Sequence, residues 1–268
     1  MLKKAFAFFK KDFLTESSYN ISFLLSIFGT LLGIVGYFFI DKLFGQRIAP
    51  HLEEFGVNYF SYVLLSMAFF SYIGIGIGSF SQRISTEQTQ GTLEAILLTP
   101  TKINTLLLSL ALWNFILATF DAIIYITLGI FLFKINFSNI NILSTLTVAI
   151  LTIVSFSSLG ILSASFIMIF KRGDPTNWII ATLEGLLGGV YFPITILPGW
   201  LAFLAKLFPV TYAIRAVELA VYKGYSIVQL KNEIGFLLIF SLLLLPLSIS
   251  CFRYSVKIAK ISGSLSQY

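Results

Sequence analysis

The sequence predicts an all-α integral membrane protein. Its expected parts are six transmembrane helices, an N-terminal interfacial helix, a cytoplasmic helix between the second and third spans, and two short outer re-entrant helices. Three observations predict this fold. Hydrophobic residues make up 57% of the 268 residues and charged residues only 11%, and a soluble domain of that size has too much surface to carry so few charges. Apolar runs of the length needed to cross a hydrocarbon core of about 30 Å recur along the whole chain. One stretch between two such runs, Glu87 to Pro100, breaks the pattern with two carboxylates, two glutamines and three threonines. One bundle accounts for the full length, so residues 1–268 are expected to form a single domain.

Residues 1–19 place Leu2, Phe6, Phe9 and Phe13 at helical spacing, with Ala5 and Phe8 beside them. Lys3, Lys4, Lys10 and Lys11 take the other side. Such a helix lies in the membrane interface with its lysines among anionic headgroups. The competing secretory leader fits less well, because the amphipathic part is long and no small-residue cleavage site follows. The first span is expected at residues 22–40, followed by a polar loop through Asn58 that holds His51, the one histidine. The second span is expected at 59–80. It ends on Gly74-Ile75-Gly76-Ile77-Gly78, where Gly74 and Gly78 lie one turn apart. That spacing either lets another helix approach closely or only loosens the end of the span.

The polar stretch is expected to be a helix over 85–99. Ser85 and Gln88 have capping-box spacing. Leu93, Ile96 and Leu97 give it one apolar face, and Glu87, Gln90 and Glu94 fall on another. Pro100 stops it, and Lys102 marks the membrane surface. The next run, 103–133, would be about 46 Å long as a helix, so one long tilted span is predicted, with Asp121 near its middle. A short loop leads to the fourth span at 142–170. Lys171-Arg172-Gly173-Asp174-Pro175 is a turn in which Asp174 caps and Pro175 starts the fifth span, 176–193. Across 194–222, Pro193 just before the segment and Pro198, Gly199 and Pro209 within it delimit two apolar helices, about 199–207 and 211–221. They are too short to span and are expected to re-enter the bilayer beside protein. Arg215 and Glu218, three apart, have the spacing of a helix-surface ion pair. The sixth span is expected at 234–252, kinked at Pro246. More of the 18 Lys and Arg fall on the N-terminal side than on the other. Both termini are therefore placed in the cytoplasm of a multi-pass plasma-membrane protein.

The residues also exclude chemistry. No glycine-rich loop ends in Lys-Ser or Lys-Thr, so no nucleotide site of that kind is expected. No Cys/His cluster has metal spacing, and Cys251 is alone. Neither an enzyme nor a cofactor of its own is expected. The net charge of +6 is spread without a basic block, which suits lipid headgroups and argues against nucleic acid. Asp121 and Glu184 fall inside spans, where a carboxylate costs about 2.5–3.5 kcal/mol. They belong either to a substrate pathway or proton relay, or to internal hydrogen bonding. Tyr191, Phe192 and Trp200 either join the interfacial aromatic belt or line an exit for amphipathic cargo.

On these residues the chain resembles the permease subunits of type-2 ATP-binding-cassette exporters. Glu87…Gly91-Thr92-Leu93-Glu94…Leu97-Leu98-Thr99-Pro100 is similar to that family's E-x-x-x-G-T-L-E segment with its closing T-P. Phe192-Pro193…Leu197-Pro198, with Pro209 beyond, is similar to its F-P-x-x-x-L-P segment. Gln88 departs from the pattern, standing where the family often has a basic residue. The resemblance implies a half-transporter that pairs with a second permease copy through its first and fifth spans. It implies coupling to a separate ATPase through Glu87, Gln88, Gln90, Gly91, Thr92, Glu94, Thr99 and Pro100. Motifs of the polysaccharide-exporting branch are not evident, so a lipid-like or drug-like amphipath is the expected cargo. Two other classes compete: a proton-coupled secondary transporter using Asp121 and Glu184, and a membrane scaffold without transport.

Overall fold

In the computed structural model, residues 20–99, 103–170, 182–183 and 185–261 are described. The expected interfacial helix 1–19, Pro100, the turn 171–175 and residues 176–181 and Glu184 of the span 176–193 lie outside them. Among the described residues, five helices are long and apolar enough to cross a membrane, or six spans if one bent pair of shorter helices counts as a span. The five are α1 (Asn20–Ile48), α2 (Tyr59–Thr89), α4 (Ile103–Phe133), α5 (Ile142–Phe170) and α8 (Lys231–Ile261). Three shorter ones are α3 (Thr92–Leu98), α6 (Gly199–Ala205) and α7 (Pro209–Tyr222). Helices are the outcome because hydrocarbon offers backbone N–H and C=O groups no partner except their own turn.

α2 and α5 form the centre of the bundle and are mostly buried, while α1, α4 and α8 lie against them and stay mostly exposed. The two central helices cross at a pair of glycines. A Cβ on Gly76 would stand 2.9 Å from Phe156 Cβ, and one on Gly160 would stand 2.8 Å from the Ile77 carbonyl oxygen and closer still to that of Gly76. The close approach thus belongs to Gly76 and Gly160. A Cβ on Gly74 would meet nothing within 4 Å among the described residues, and Gly78 is half-buried.

Two buried clusters divide the bundle lengthwise. One holds Tyr62, Phe69 and Ile73 of α2, Phe156 of α5, Ile214 and Val217 of α7 and Leu237 of α8. The other gathers Phe80, Leu93, Leu106, Met168 and Phe252 at the opposite end.

Several boundaries differ from expectation. α1 runs on to Ile48, and a 3-10 turn, Ala49–Leu52, replaces much of the expected loop. Asp41 sits on this extension, and its Oδ1 accepts the Phe60 backbone N–H at 3.3 Å. α8 starts at Lys231 and continues to Ile261, well past the expected 234–252, with Pro246 inside it. Charged residues such as Arg253 and Lys257 are good helix formers, so the helix outlasts the membrane. The expected helix 85–99 is two pieces: α2 carries on to Thr89, and α3 begins at Thr92. The fifth span does not remain helical to 193. Residues 185–187 are helical, but Gly189 has φ +84°, so Tyr191 and Phe192 lie on irregular chain.

The re-entrant segment follows from its prolines. Pro193 precedes a 3-10 turn, Ile194–Ile196; Pro198 precedes α6; and Pro209 opens α7 at a position where its missing N–H costs nothing. α6 and α7 meet at 86°. α7 is buried on nearly every side, the setting in which such a bend survives at membrane depth.

Candidate functional site

The polar stretch forms a foot at the end of α2. Gly91 makes the corner between α2 and α3 with φ +67°, a left-handed conformation that glycine adopts without steric cost. Its N–H donates to the Gln88 carbonyl oxygen at 3.0 Å, and the Gln90 N–H donates to that of Thr86 at 2.9 Å, which closes the last turn of α2. Ser85 lies inside that turn and accepts the Thr89 hydroxyl at its carbonyl, 2.9 Å away. The expected capping box is therefore absent, because its two residues belong to the helix that ends rather than to the one that starts.

Glu87 locks the corner. It is buried, against the expectation that it faces the cytoplasm; its carboxylate pairs with Arg83 Nε at 3.0 Å and accepts the Thr92 hydroxyl. Gln88 is buried as well, and its Oε1 meets no donor among the described residues. Leu93 is buried in the foot-end cluster, with Ile96 and Leu97 against it, as their spacing predicts. Lys260 of α8 donates to the Leu97 carbonyl oxygen at 3.2 Å. Thr99 ends α3 by hydrogen bonding to the Ile96 carbonyl oxygen through both its N–H, at 3.2 Å, and its hydroxyl, at 2.7 Å. Gln90, Gly91, Thr92, Glu94, Leu98 and Thr99 remain exposed. Glu94 sits in the first turn of α3, where the helix dipole favours an anion. Arg83, Lys260 and the exposed Leu98 escape a reading of the motif alone, although Arg83 and Glu87 have i,i+4 spacing.

At the other end of the bundle, Arg215 and Glu218 do not pair. Arg215 bonds Glu54 at 2.5 Å and Glu233 at 3.5 Å, tying α7 to the chain before α2 and to the start of α8. Glu218 points inward, fully buried; its Oε1 accepts the Ser66 hydroxyl at 2.8 Å, and its Oε2 has no partner among the described residues. A helical offset of three residues is enough to send one side chain to the rim and the other into the core. A cavity of about 120 Å³ lies beside the Arg215 triad, bordered by Tyr62, Gly189 and Thr195.

Between the two ends, Tyr191 stacks on Tyr37 of α1 with ring centroids 6.0 Å apart. Tyr125 lies within electrostatic reach of both Asp121 and Tyr191. Asp121 is half-buried and has no ion pair among the described residues. Asp121 and Tyr191 are thus gathered near Tyr37 and Tyr125, neither of which the sequence singles out. Phe192 is half-buried, and Trp200 is exposed on α6.

The sequence matches the ABC-2 type transporter family over residues 4–222. The chain belongs to the ABC-2 type transporter family. Comparison with curated proteins gives no match. The family identifies a membrane-embedded permease, the membrane subunit of an ABC transporter, and implies an ATPase partner in general terms. The matched segment takes in the foot and the re-entrant helices of this ABC-2 permease; α8, whose Lys260 holds α3, lies beyond it.

Proposed function

We propose that this permease exports a lipid-like or drug-like amphipath by alternating access, driven by a separate ATPase seated on the foot. The observation that carries this reading is the rigid corner at Glu87. A force on the exposed face of α3 passes through the Glu87–Arg83–Thr92 cluster and buried Leu93 into α2. α2 is the central helix, so its tilt moves α5 and α7 with it. Glu87, Gln88 and Thr92 fix the corner, while Gln90, Gly91, Glu94 and Thr99 supply its docking face, with Pro100 at its edge. In this reading the foot faces the cytoplasm of a plasma-membrane protein with both termini inside. The cargo path runs by Asp121 and Tyr191, with Phe192, Trp200 and Glu184 lining its continuation, and a second permease copy completes it.

The test is co-expression with the cognate ATPase. Glu94→Lys reverses the charge on the docking face without touching the buried corner. We expect it to lose ATPase co-purification at least tenfold and to abolish ATP-dependent flux from inverted vesicles, with the permease still inserted. An ATPase that stays bound to Glu94→Lys with full flux defeats the proposal.

A further inference from the structure

Opposite the foot, two cavities share one wall. The first, about 320 Å³, is polar and is lined by Asn58, Ser61, Asn136, Ser138, Asn139 and Tyr222. The second, about 140 Å³, is an apolar groove between α2, α4, α5 and α7, floored by Leu65, Phe69, Ala149 and Val217. The shared wall is a stacked pair. Phe137 borders the groove, Tyr222 borders the polar cavity, and their rings lie 5.7 Å apart at 20°.

The groove's rim residues Ile140 and Leu146 are 40% and 51% exposed, so it opens sideways, toward lipid. An apolar groove of this kind offers water no hydrogen bonds. The matter at hand at that depth is hydrocarbon. The polar cavity is rich in donors. Asn58 and Asn136 spend their Oδ1 atoms on the backbone N–H groups of Ser61 and Ser138, at 3.1 and 2.9 Å. Their Nδ2 groups have no partner among the described residues. Lys223 adds a cation at the Gly56 wall, where an added Cβ would stand 2.6 Å from its Nζ. Amide donors with one ammonium suit the acceptor oxygens of a phosphodiester.

We propose that this pair of cavities binds one anionic phospholipid from the leaflet opposite the foot. Its phosphodiester occupies the polar cavity, and one acyl chain passes the Phe137–Tyr222 wall into the groove. The site goes beyond the transport reading, since it needs neither an ATPase nor a second copy. Its groove uses Ala122 and Ile126 of α4, one residue on from Asp121 and Tyr125 and so on a neighbouring helix face.

The experiment uses the purified full chain in detergent, without ATPase or nucleotide. The probe is phosphatidylglycerol carrying a diazirine on one acyl chain, with a phosphatidylcholine counterpart. Adducts are mapped by peptide mass spectrometry. We expect the anionic probe to label the 137–149 peptide at least fivefold more than the zwitterionic one, and Lys223→Glu, an exposed change, to remove that preference. Ala149→Phe, accepted only if its thermal unfolding matches the parent, should cut labelling of the peptide at least fivefold. Glycerol phosphate at the probe's concentration should leave labelling unchanged. Equal labelling by both lipids with no effect of Lys223→Glu would mean annular lipid only and would overturn the site. Displacement by equimolar glycerol phosphate would overturn the lipid assignment in favour of a free phosphate site.

Discussion

At the scale of single residues, the foot depends on one backbone conformation and one buried charge. An added Cβ on Gly91 would meet nothing within 4 Å among the described residues, so Gly91→Ala tests backbone strain. A left-handed non-glycine residue costs about 1–2 kcal/mol. Gly91→Ala should therefore lower the thermal midpoint in detergent by a few degrees, and Gly91→Asn by less, because asparagine tolerates that region better. Equal losses for the two, or none, would show that the corner is not set by φ. Glu87 gives a second prediction. Arg83→Met takes the Arg83 partner away from this buried carboxylate, at a cost of about 3 kcal/mol. The Arg83→Met/Glu87→Met double variant should recover much of that loss, and a thermal-shift double-mutant cycle checks it. Additive losses would refute the coupling. At the far end, Arg215 is about half exposed. Its triad is therefore worth less, and Arg215→Ala should cost about 1 kcal/mol in the same assay.

At the scale of helices, the crossing of α2 and α5 is the close joint at the centre of the bundle, through which the proposed transport cycle would carry motion from the foot. Gly160→Leu would drive a side chain into the Gly76 and Ile77 carbonyl oxygens, so it should abolish a monodisperse peak in size-exclusion chromatography. Gly74→Leu should leave that peak intact, and the reverse pattern would move the crossing. This joint also shows where sequence reasoning stops. The repeat Gly74-Ile75-Gly76-Ile77-Gly78 marks small residues, but it offers two faces, and the choice between them lies in the register of Gly160 on another helix. α4 and α5 were legible to their ends because their apolar runs are bounded by Lys102, Lys134, Asn141 and Lys171. α1 and α8 run past their apolar stretches because Asp41, Arg253 and Lys257 leave the membrane without leaving the helix. The foot's apolar face was legible from Leu93, Ile96 and Leu97. Its break at Gly91 was not, since the same residues are compatible with a continuous helix until Leu93 is buried against α4, α5 and α8.

At the scale of the molecule, α1 turns an apolar stripe outward. Leu25, Phe28, Leu32, Phe39 and Leu43 are each more than half exposed, and at 100° per residue they fall within about 60° of one another. The opposite side of the helix meets α2 through Ile34, packed with Phe60 and Leu64. In hydrocarbon such a stripe gains nothing from burial as such; two copies would be held there by close packing. Pairing of permease copies along α1 then makes a geometric prediction. Single cysteines at Phe28, Leu32 and Phe39, introduced on a Cys251→Ser background, should form disulfide-linked dimers in native membranes under mild oxidation. A cysteine at Leu143, at 67% somewhat more exposed but on α5, should not. Cross-linking should also change with nucleotide when the ATPase is present, because the proposed rocking of two bundles would alter the spacing at one end of α1 more than at the other. Uniform cross-linking at Leu143 and the α1 positions would reflect random collision in the membrane, and none at α1 would leave the stripe facing lipid and overturn pairing along α1.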